Sequence, residues 1–194
     1  AKQGDGEGAV KLLAEMELAQ VKPNAMSYNS AINAFAKQVD SEAAVKLLGR
    51  MESAVVKPNV VSYSACIDAF AKQGDGEGAA EWHGNMVSAE LEPNDISYTT
   101  VMCAFARQGD GKRAAAWLAK MEAAELAPTA ATYDAVSVAF TQQGNGEAAA
   151  EWLQACSTRA AKYSSKAMQL VPQTNLTSYK IVPLLGLDFT QMRT

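Results

Sequence analysis

The sequence predicts an all-α solenoid, a stack of similar helical hairpins that share one elongated core. One observation behind this prediction is that apolar residues within each unit keep a helical spacing, with glycine or proline at the expected helix ends. The other is a period of 35 residues, which returns without an insertion. Units of this length bury their apolar faces only against their neighbours. The landmarks that keep the period are Tyr28, Tyr63, Tyr98 and Tyr133, Phe35, Phe70, Phe105 and Phe140, Met16, Met51, Met86 and Met121, and Pro23, Pro58, Pro93 and Pro128.

The first helix of each unit is illustrated by the second full repeat. Tyr63, Cys66, Ile67 and Phe70 lie three or four residues apart, which predicts a helix that buries this face. Gly74 follows and should end the helix, because glycine tolerates the left-handed backbone of a helix C-cap. The corresponding turns between the two helices are predicted at residues 39–41, 74–76, 109–111 and 144–146.

The second helix is predicted to begin after Asp75, whose carboxylate can accept hydrogen bonds from the unpaired N–H groups of a helix N-terminus. Ala79, Trp82, His83 and Met86 then share one face and are expected to be packed. The proline of the repeat marks the far limit of the helix, since proline cannot continue it. Periodicity alone does not determine the handedness of the stack. We predict that the α-solenoid is right-handed.

These patterns divide the chain into one repeat domain, residues 1–164, and an extended C-terminal tail, residues 165–194. The fourth full unit is degenerate, because the expected methionine and Pro-Asn are replaced near its end. The predicted units are a partial repeat 1–24, repeats 25–59, 60–94 and 95–129, and the degenerate repeat 130–164.

The chain begins within a repeat, because residues 1–9 are identical to residues 71–79. The helix that follows therefore lacks its partner helix, and Leu12, Leu13 and Met16 are expected to be exposed unless further chain lies upstream.

Charge is unevenly distributed. Residues 1–154 carry 20 acidic and 12 basic residues, whereas residues 155–194 carry 1 acidic and 5 basic residues. The tail is thus basic and partly apolar, and its apolar run is too short and too interrupted by proline to cross a membrane. Leu184, Leu185 and Phe189 are its candidate anchors on a partner protein.

Catalytic and metal-binding chemistry finds little support. His83 is the only histidine and takes a position that is leucine in other repeats, so we expect it to be packed and partly buried. The three cysteines lack C-x-x-C spacing, which leaves no zinc site and no Cys–His pair. The Gly-Asp-Gly-Glu turns lack the lysine of a phosphate-binding loop. We therefore expect no enzyme activity, cofactor, metal or small-molecule substrate.

The repeated pattern V-x-S-Y-[NST], F-A-K-Q-G-[DN], M and P-N, at 35 residues, resembles the pentatricopeptide repeat. The resemblance covers residues 1 to about 154. The W-x2-L-G-x2-Y opening of a tetratricopeptide repeat is absent. Because pentatricopeptide proteins are overwhelmingly organellar, the resemblance also implies a chloroplast or mitochondrial location.

In the family that it resembles, the first helices line a groove that holds single-stranded RNA, one base per repeat. The base edge is contacted by the residue after the tyrosine and by the last residue of the repeat. The resemblance implies a pyrimidine for the first pair and an adenine for the second. The pairs here are Asn29 with Asn59, Ser64 with Asn94, and Thr99 with Thr129.

Two of these positions depart from the family pattern. Thr129 stands where the family usually has Asn or Asp, which weakens the third readout. Asp134 falls at the base-reading position of the fourth unit, where its carboxylate would repel phosphates, so that unit is expected to read nothing. The bases are expected to stack on the second residue of each repeat, which is Met26, Val61, Ile96 or Ala131.

Lys37, Lys72 and Arg107 recur at one repeat position and are candidate phosphate contacts along the groove. Alternatively, they are solvated charges placed at helix C-termini, where the helix dipole favours them.

Two functions are consistent with the sequence. The first is an organellar protein that binds single-stranded RNA. The second is a protein–protein scaffold, a structural subunit of a large organellar assembly such as a ribosome, respiratory complex or photosystem, docked through the solenoid surface and the tail. An acidic repeat body favours the scaffold, whereas the residues of the predicted groove favour RNA.

Overall fold

The structure is a computed structural model that describes residues 5–154, and every regular element in this range is an α-helix. Residues 146–154 at the end of the range are also helical. The complete helices are α1 (Gly6–Leu18), α2 (Ala25–Gln38), α3 (Ser41–Ser53), α4 (Val60–Gln73), α5 (Gly76–Ser88), α6 (Asp95–Arg107), α7 (Gly111–Ala123) and α8 (Ala130–Gln142). The predicted hairpins and all four predicted turns are therefore confirmed.

The helices form two layers. In the first layer, α2, α4, α6 and α8 contact one another in series. Each second helix packs between the first helix of its own repeat and that of the next, as α5 does between α4 and α6. Among residues 5–154, the second helices α1, α3, α5 and α7 do not contact one another. The first helices are therefore the closely spaced, inner layer of the solenoid, and the second helices are the outer layer.

The helix starts agree with the capping prediction. The side chain of Asp75 accepts a hydrogen bond from the backbone N–H of Gly78 at 2.9 Å, and Asp5, Asp40, Asp110 and Asn145 do the same in their repeats. The first helices have asparagine caps, which the sequence analysis did not assign: Asn24, Asn59 and Asn94. Thr129, at the corresponding position of α8, makes no side-chain cap bond.

The turn between the helices of each repeat needs a left-handed residue. Gly74, Gly109 and Gly144 supply it with φ between 69° and 77°. In the first full repeat, Val39 takes the same conformation at φ 62°. A β-branched side chain in this region costs about 1–2 kcal/mol. The turn of residues 39–41 therefore carries backbone strain that the three glycine turns avoid.

The core contains most of the residues that the periodicity selects. Tyr63, Ile67 and Met86 are buried as predicted. Phe70 and Trp82 are only half-buried, and their rings stack with centroids 6.5 Å apart. Full burial was thus the wrong expectation for these two residues.

A close contact between neighbouring repeats accounts for the position of Phe70. A Cβ atom added to Gly76 would lie 2.5 Å from Cδ1 of Phe105 in the next repeat. The position equivalent to Gly76 in the preceding repeat is Ser41, which has a Cβ and donates a hydrogen bond to Gln73 at 2.9 Å. The ring of Phe70 lies instead against Gly78 of its own repeat.

The first helix also differs from expectation. Leu13 is buried in the core and α1 packs on α2, whereas Leu12 is exposed and Met16 is half-buried. One of the three residues expected to be exposed is therefore covered by the repeat that follows. The end of the degenerate repeat and the whole tail, with Leu184, Leu185 and Phe189, lie outside the described residues.

Substitutions of two glycines in α5 should have opposite effects. Gly76→Ala should lower the free energy of unfolding by about 1–3 kcal/mol, because the new methyl group overlaps the Phe105 ring. Gly84 is an exposed, mid-helix position with nothing within 4 Å of an added Cβ, so Gly84→Ala should raise it by about 1 kcal/mol. Urea titration measures both values. A Gly76→Ala protein as stable as the Gly84→Ala protein would contradict this packing.

Candidate nucleic-acid interface

Three large apolar side chains stand exposed on the inner layer. Met26, Val61 and Ile96 are 76%, 58% and 62% exposed, and each lies in the first turn of α2, α4 or α6. Their spacing follows the repeat, so they form a regular row rather than scattered surface residues. A row of exposed apolar side chains at one repeat position indicates a contact surface.

Two cavities bring the predicted base-contacting residues together. A cavity of about 450 Å³ between α2 and α4 is lined by Met26, Asn29, Asn59 and Val61. It therefore contains both members of the first readout pair and both flanking apolar side chains. The pair and its apolar neighbours were predicted from different repeat positions, and the fold places them at one site.

A second cavity, of about 300 Å³, occupies the corresponding place between α6 and α8. It is lined by Ile96, Thr99, Thr129 and Ala131, and also by Asp68 and Arg107. Between these two sites, Ser64 on α4 and Asn94 at the start of α6 are both half-buried.

The first readout pair is tied by hydrogen bonds. The Asn29 Nδ2 group donates to Asn59 Oδ1 at 3.2 Å, and the Ser62 hydroxyl donates to Asn29 Oδ1 at 2.6 Å. Asn59 Oδ1 also accepts the backbone N–H groups of Val61 and Ser62, which makes it the cap of α4. Sequence reasoning did not find Ser62, although its place within a capping box was visible as a polar residue three positions after an asparagine.

The third readout pair is organised differently. The Thr99 hydroxyl donates to the carbonyl oxygen of Asp95 at 2.7 Å, so it is held by its own helix. Thr129 is exposed and has no cap bond.

The three candidate phosphate contacts are not equivalent. Lys72 Nζ lies 2.6 Å from Asp68 Oδ2, and Arg107 donates to the carbonyl oxygen of Ala71. Lys37 is exposed and forms no ion pair within residues 5–154, because Asn33 stands where the next repeat has Asp68. A ladder of three equal cations is therefore not what the structure contains, since two of them already have partners.

His83 lies on the outer layer, away from these sites. It is only 4% exposed, and its ring makes edge-to-face contacts with Tyr98 and Trp117 at centroid distances of 4.6 and 4.9 Å. Burial, followed by the positive charge of Lys120, lowers the pKa of His83 to about 4. The prediction of a packed histidine is confirmed, with more complete burial than expected.

A groove of about 880 Å³ adjoins His83 on the outer layer, lined by α5, Tyr98 and α7. Lys120 lies over the Trp117 ring at 4.1 Å in this groove. The sequence analysis did not predict this groove. The replacement of the usual leucine by His83 was the one feature of the sequence that pointed to it.

Within residues 5–154, no three His, Cys, Asp or Glu residues cluster as metal ligands would. The helices in the same range are too short or too polar to span a membrane.

The repeat architecture, with its row of exposed apolar side chains on the inner layer, defines a helical-repeat protein of the α-solenoid class. A model of the pentatricopeptide repeat domain matches residues 1–38 and 83–143, and a model of the PPR repeat family matches residues 23–72 and 58–107. The chain therefore belongs to the pentatricopeptide repeat family.

Solved structures with the same fold agree with this assignment. Maize pentatricopeptide repeat protein PPR10 is 26% identical with a TM-score of 0.68, and the match covers 84% of this chain and 23% of PPR10. PPR10 in complex with an 18-nt psaJ RNA element gives a TM-score of 0.71 at the same identity, covering 84% of this chain and 24% of that one. This chain thus spans about a quarter of the length of PPR10. No curated protein sequence matches it.

A further structure shares the fold at lower identity. The PPR domain of Arabidopsis thaliana protein-only RNase P 1, solved in complex with tRNA, is 20% identical with a TM-score of 0.67. That match covers 87% of this chain and 90% of the domain.

The buried His83 predicts a specific loss of stability in acid. Its pKa is about 4 in the folded chain and 6.5 when unperturbed, so between these values the unfolded chain binds a proton that the folded chain does not. The free energy of unfolding should therefore fall by about 2 kcal/mol from pH 7 to pH 5 through this residue alone.

The control is His83→Leu, which introduces the residue found at Leu48, Leu118 and Leu153. Urea titrations at both pH values should show the smaller loss in this variant. An equal loss in both proteins would mean that His83 is not buried as a neutral side chain.

Proposed function

We propose that this chain is a non-catalytic organellar protein that binds single-stranded RNA along its inner layer, one base per repeat. The observation that carries the proposal is the cavity between α2 and α4. It combines two apolar walls, Met26 and Val61, with two amide side chains, Asn29 and Asn59. Apolar walls suit the faces of a base, and amide groups suit its hydrogen-bonding edge.

The side chains of each site suit a different type of base. Asn29 and Asn59 line the cavity with their oxygens bonded to Ser62 and to the N-terminus of α4, so the N–H groups that remain suit the carbonyl oxygens of a pyrimidine. Ser64 with Asn94 offers a small hydroxyl and an amide, for which the family pattern implies adenine. Thr99 and Thr129 present fewer free hydrogen-bonding groups to a base, because the Thr99 hydroxyl already donates to the carbonyl oxygen of Asp95 in its own helix.

Similarity to PPR10 supports the same function, since that protein was solved in complex with an 18-nt psaJ RNA element. Sites in three repeats give a short footprint. Base stacking contributes about 1–3 kcal/mol per base, so this segment alone would bind RNA weakly. Selection of one transcript would require additional repeats.

The alternative is a scaffold subunit of an organellar assembly, and two observations favour it. Residues 1–154 carry 20 acidic and 12 basic residues, which opposes phosphate binding. The outer groove beside His83 is also larger than either inner cavity. In this alternative, Leu184, Leu185 and Phe189 of the basic tail would anchor the chain on its partner.

The ion pair between Asp68 and Lys72 provides a test of RNA binding. If the inner layer contacts phosphates, Asp68→Asn should free Lys72 and remove a carboxylate from the RNA path. The dissociation constant for a labelled single-stranded RNA at low salt should fall about three- to tenfold. Because one more cation is available, the slope of log Kd against log salt should steepen by about 0.7.

The matched control is Glu42→Gln, which breaks the same kind of i,i+4 pair, with Lys46, on the outer helix α3. It changes the net charge equally and should leave the affinity and the salt slope unchanged. Equal gains in both variants would show that RNA responds only to net charge. Failure of the wild-type chain to bind RNA at low salt would favour the scaffold.

A further inference from the structure

We propose that Ser62 is a positioning residue that sets the base preference of the first RNA site, an inference that rests on the proposed function. Ser62 lies in the first turn of α4 and is fully buried, so its side chain cannot reach a base itself. Its influence must therefore pass through the readout side chains that its hydroxyl contacts, Asn29 at 2.6 Å and Asn59 at 3.2 Å.

The orientation of the Asn59 amide is fixed first. Its Oδ1 atom accepts the backbone N–H of Val61 at 3.0 Å and that of Ser62 at 3.2 Å. A flipped amide would place an N–H group against these two donors. The oxygen of Asn59 therefore points into the helix N-terminus, and its NH₂ group points away from it.

The Asn29 amide is fixed next. Its Nδ2 group must face Asn59 Oδ1, since an oxygen there would meet another oxygen. Asn29 Oδ1 then faces Ser62, whose hydroxyl donates to it. This hydroxyl lies nearer to Asn29 Oδ1, at 2.6 Å, than to Asn59 Oδ1, at 3.2 Å.

The result is a site that favours donors over acceptors. Asn59 Oδ1 already accepts three N–H groups, and Asn29 Oδ1 is turned toward the buried hydroxyl of Ser62. Bases that present acceptors, such as the carbonyl oxygens of pyrimidines, are therefore favoured over an exocyclic amine. Without the Ser62 hydroxyl, the Asn29 amide would lose one of the two hydrogen bonds that fix its orientation, and its Oδ1 would be free to turn toward such an amine.

The next repeat contains a natural control. Ser97 forms the same capping box as Ser62, since each accepts the backbone N–H of its cap asparagine at 3.1 Å. However, Ser64 replaces asparagine at the readout position there, and the Ser97 hydroxyl donates to the Asn94 carbonyl instead at 2.8 Å. Substituting either serine removes a capping box, but only the Ser62 hydroxyl donates to a readout side chain.

The test measures base preference with a randomised pool of short single-stranded RNAs, from which bound molecules are sequenced. The wild-type chain should prefer pyrimidine at one position, and Ser62→Ala should reduce this preference about two- to tenfold, the value of one neutral hydrogen bond. Ser97→Ala should leave that position unchanged. Ser62→Thr should restore the preference, because Thr132 already occupies the equivalent buried position in α8.

The outcomes separate the inference from the proposed function. RNA binding with the wild-type preference retained in Ser62→Ala, or lost equally in Ser97→Ala, would overturn the role of Ser62 and leave RNA binding intact. A wild-type chain that binds RNA with no preference at any position would do the same. A wild-type chain that does not bind the pool would overturn the proposed function, and this inference with it.

Discussion

The stack depends on how closely a phenylalanine of one repeat approaches the second helix of the repeat before it. Phe35, Phe105 and Phe140 each lie where a Cβ on the opposing glycine would overlap the ring. The opposing residues are Gly6, Gly76 and Gly111, each the first residue of a second helix. Because the contact joins consecutive repeats, it sets how near the first helices come to one another, and hence the spacing of the sites on the inner layer.

One junction is built differently. Between α3 and α4, Ser41 takes the place of glycine and binds Gln73, which also donates to the carbonyl oxygen of Val39 at 2.9 Å. Polar contacts thus replace the glycine–phenylalanine contact where the backbone of Val39 is strained. The hydrogen-bonded pair Asn29 and Asn59 spans the same junction on the inner layer. The most highly organised candidate site therefore lies where the two repeats are joined by hydrogen bonds.

The sequence predicted the fold well because each 35-residue unit repeats the same pattern of buried, turn and capping residues. Helix faces, glycine turns and aspartate caps all follow from residue type and spacing. The period could not predict departures caused by contacts between repeats. Phe70 is half-exposed because Ser41 of the preceding repeat replaces the glycine that its ring would otherwise contact, and Arg107 is bonded to the carbonyl oxygen of Ala71 in the preceding repeat. The readout residues came from a family resemblance, whereas the bond from Ser62 to Asn29 needed the fold.

The central claim is that RNA lies along the inner layer, and photo-crosslinking tests it most directly. Single-stranded RNA that carries 4-thiouridine would be irradiated with the chain, and the modified peptides would be identified by mass spectrometry. The account predicts crosslinks in the first turns of α2, α4 and α6, around Met26, Val61 and Ile96. Crosslinks confined to the outer helices, around the groove beside His83 and Lys120, would contradict it.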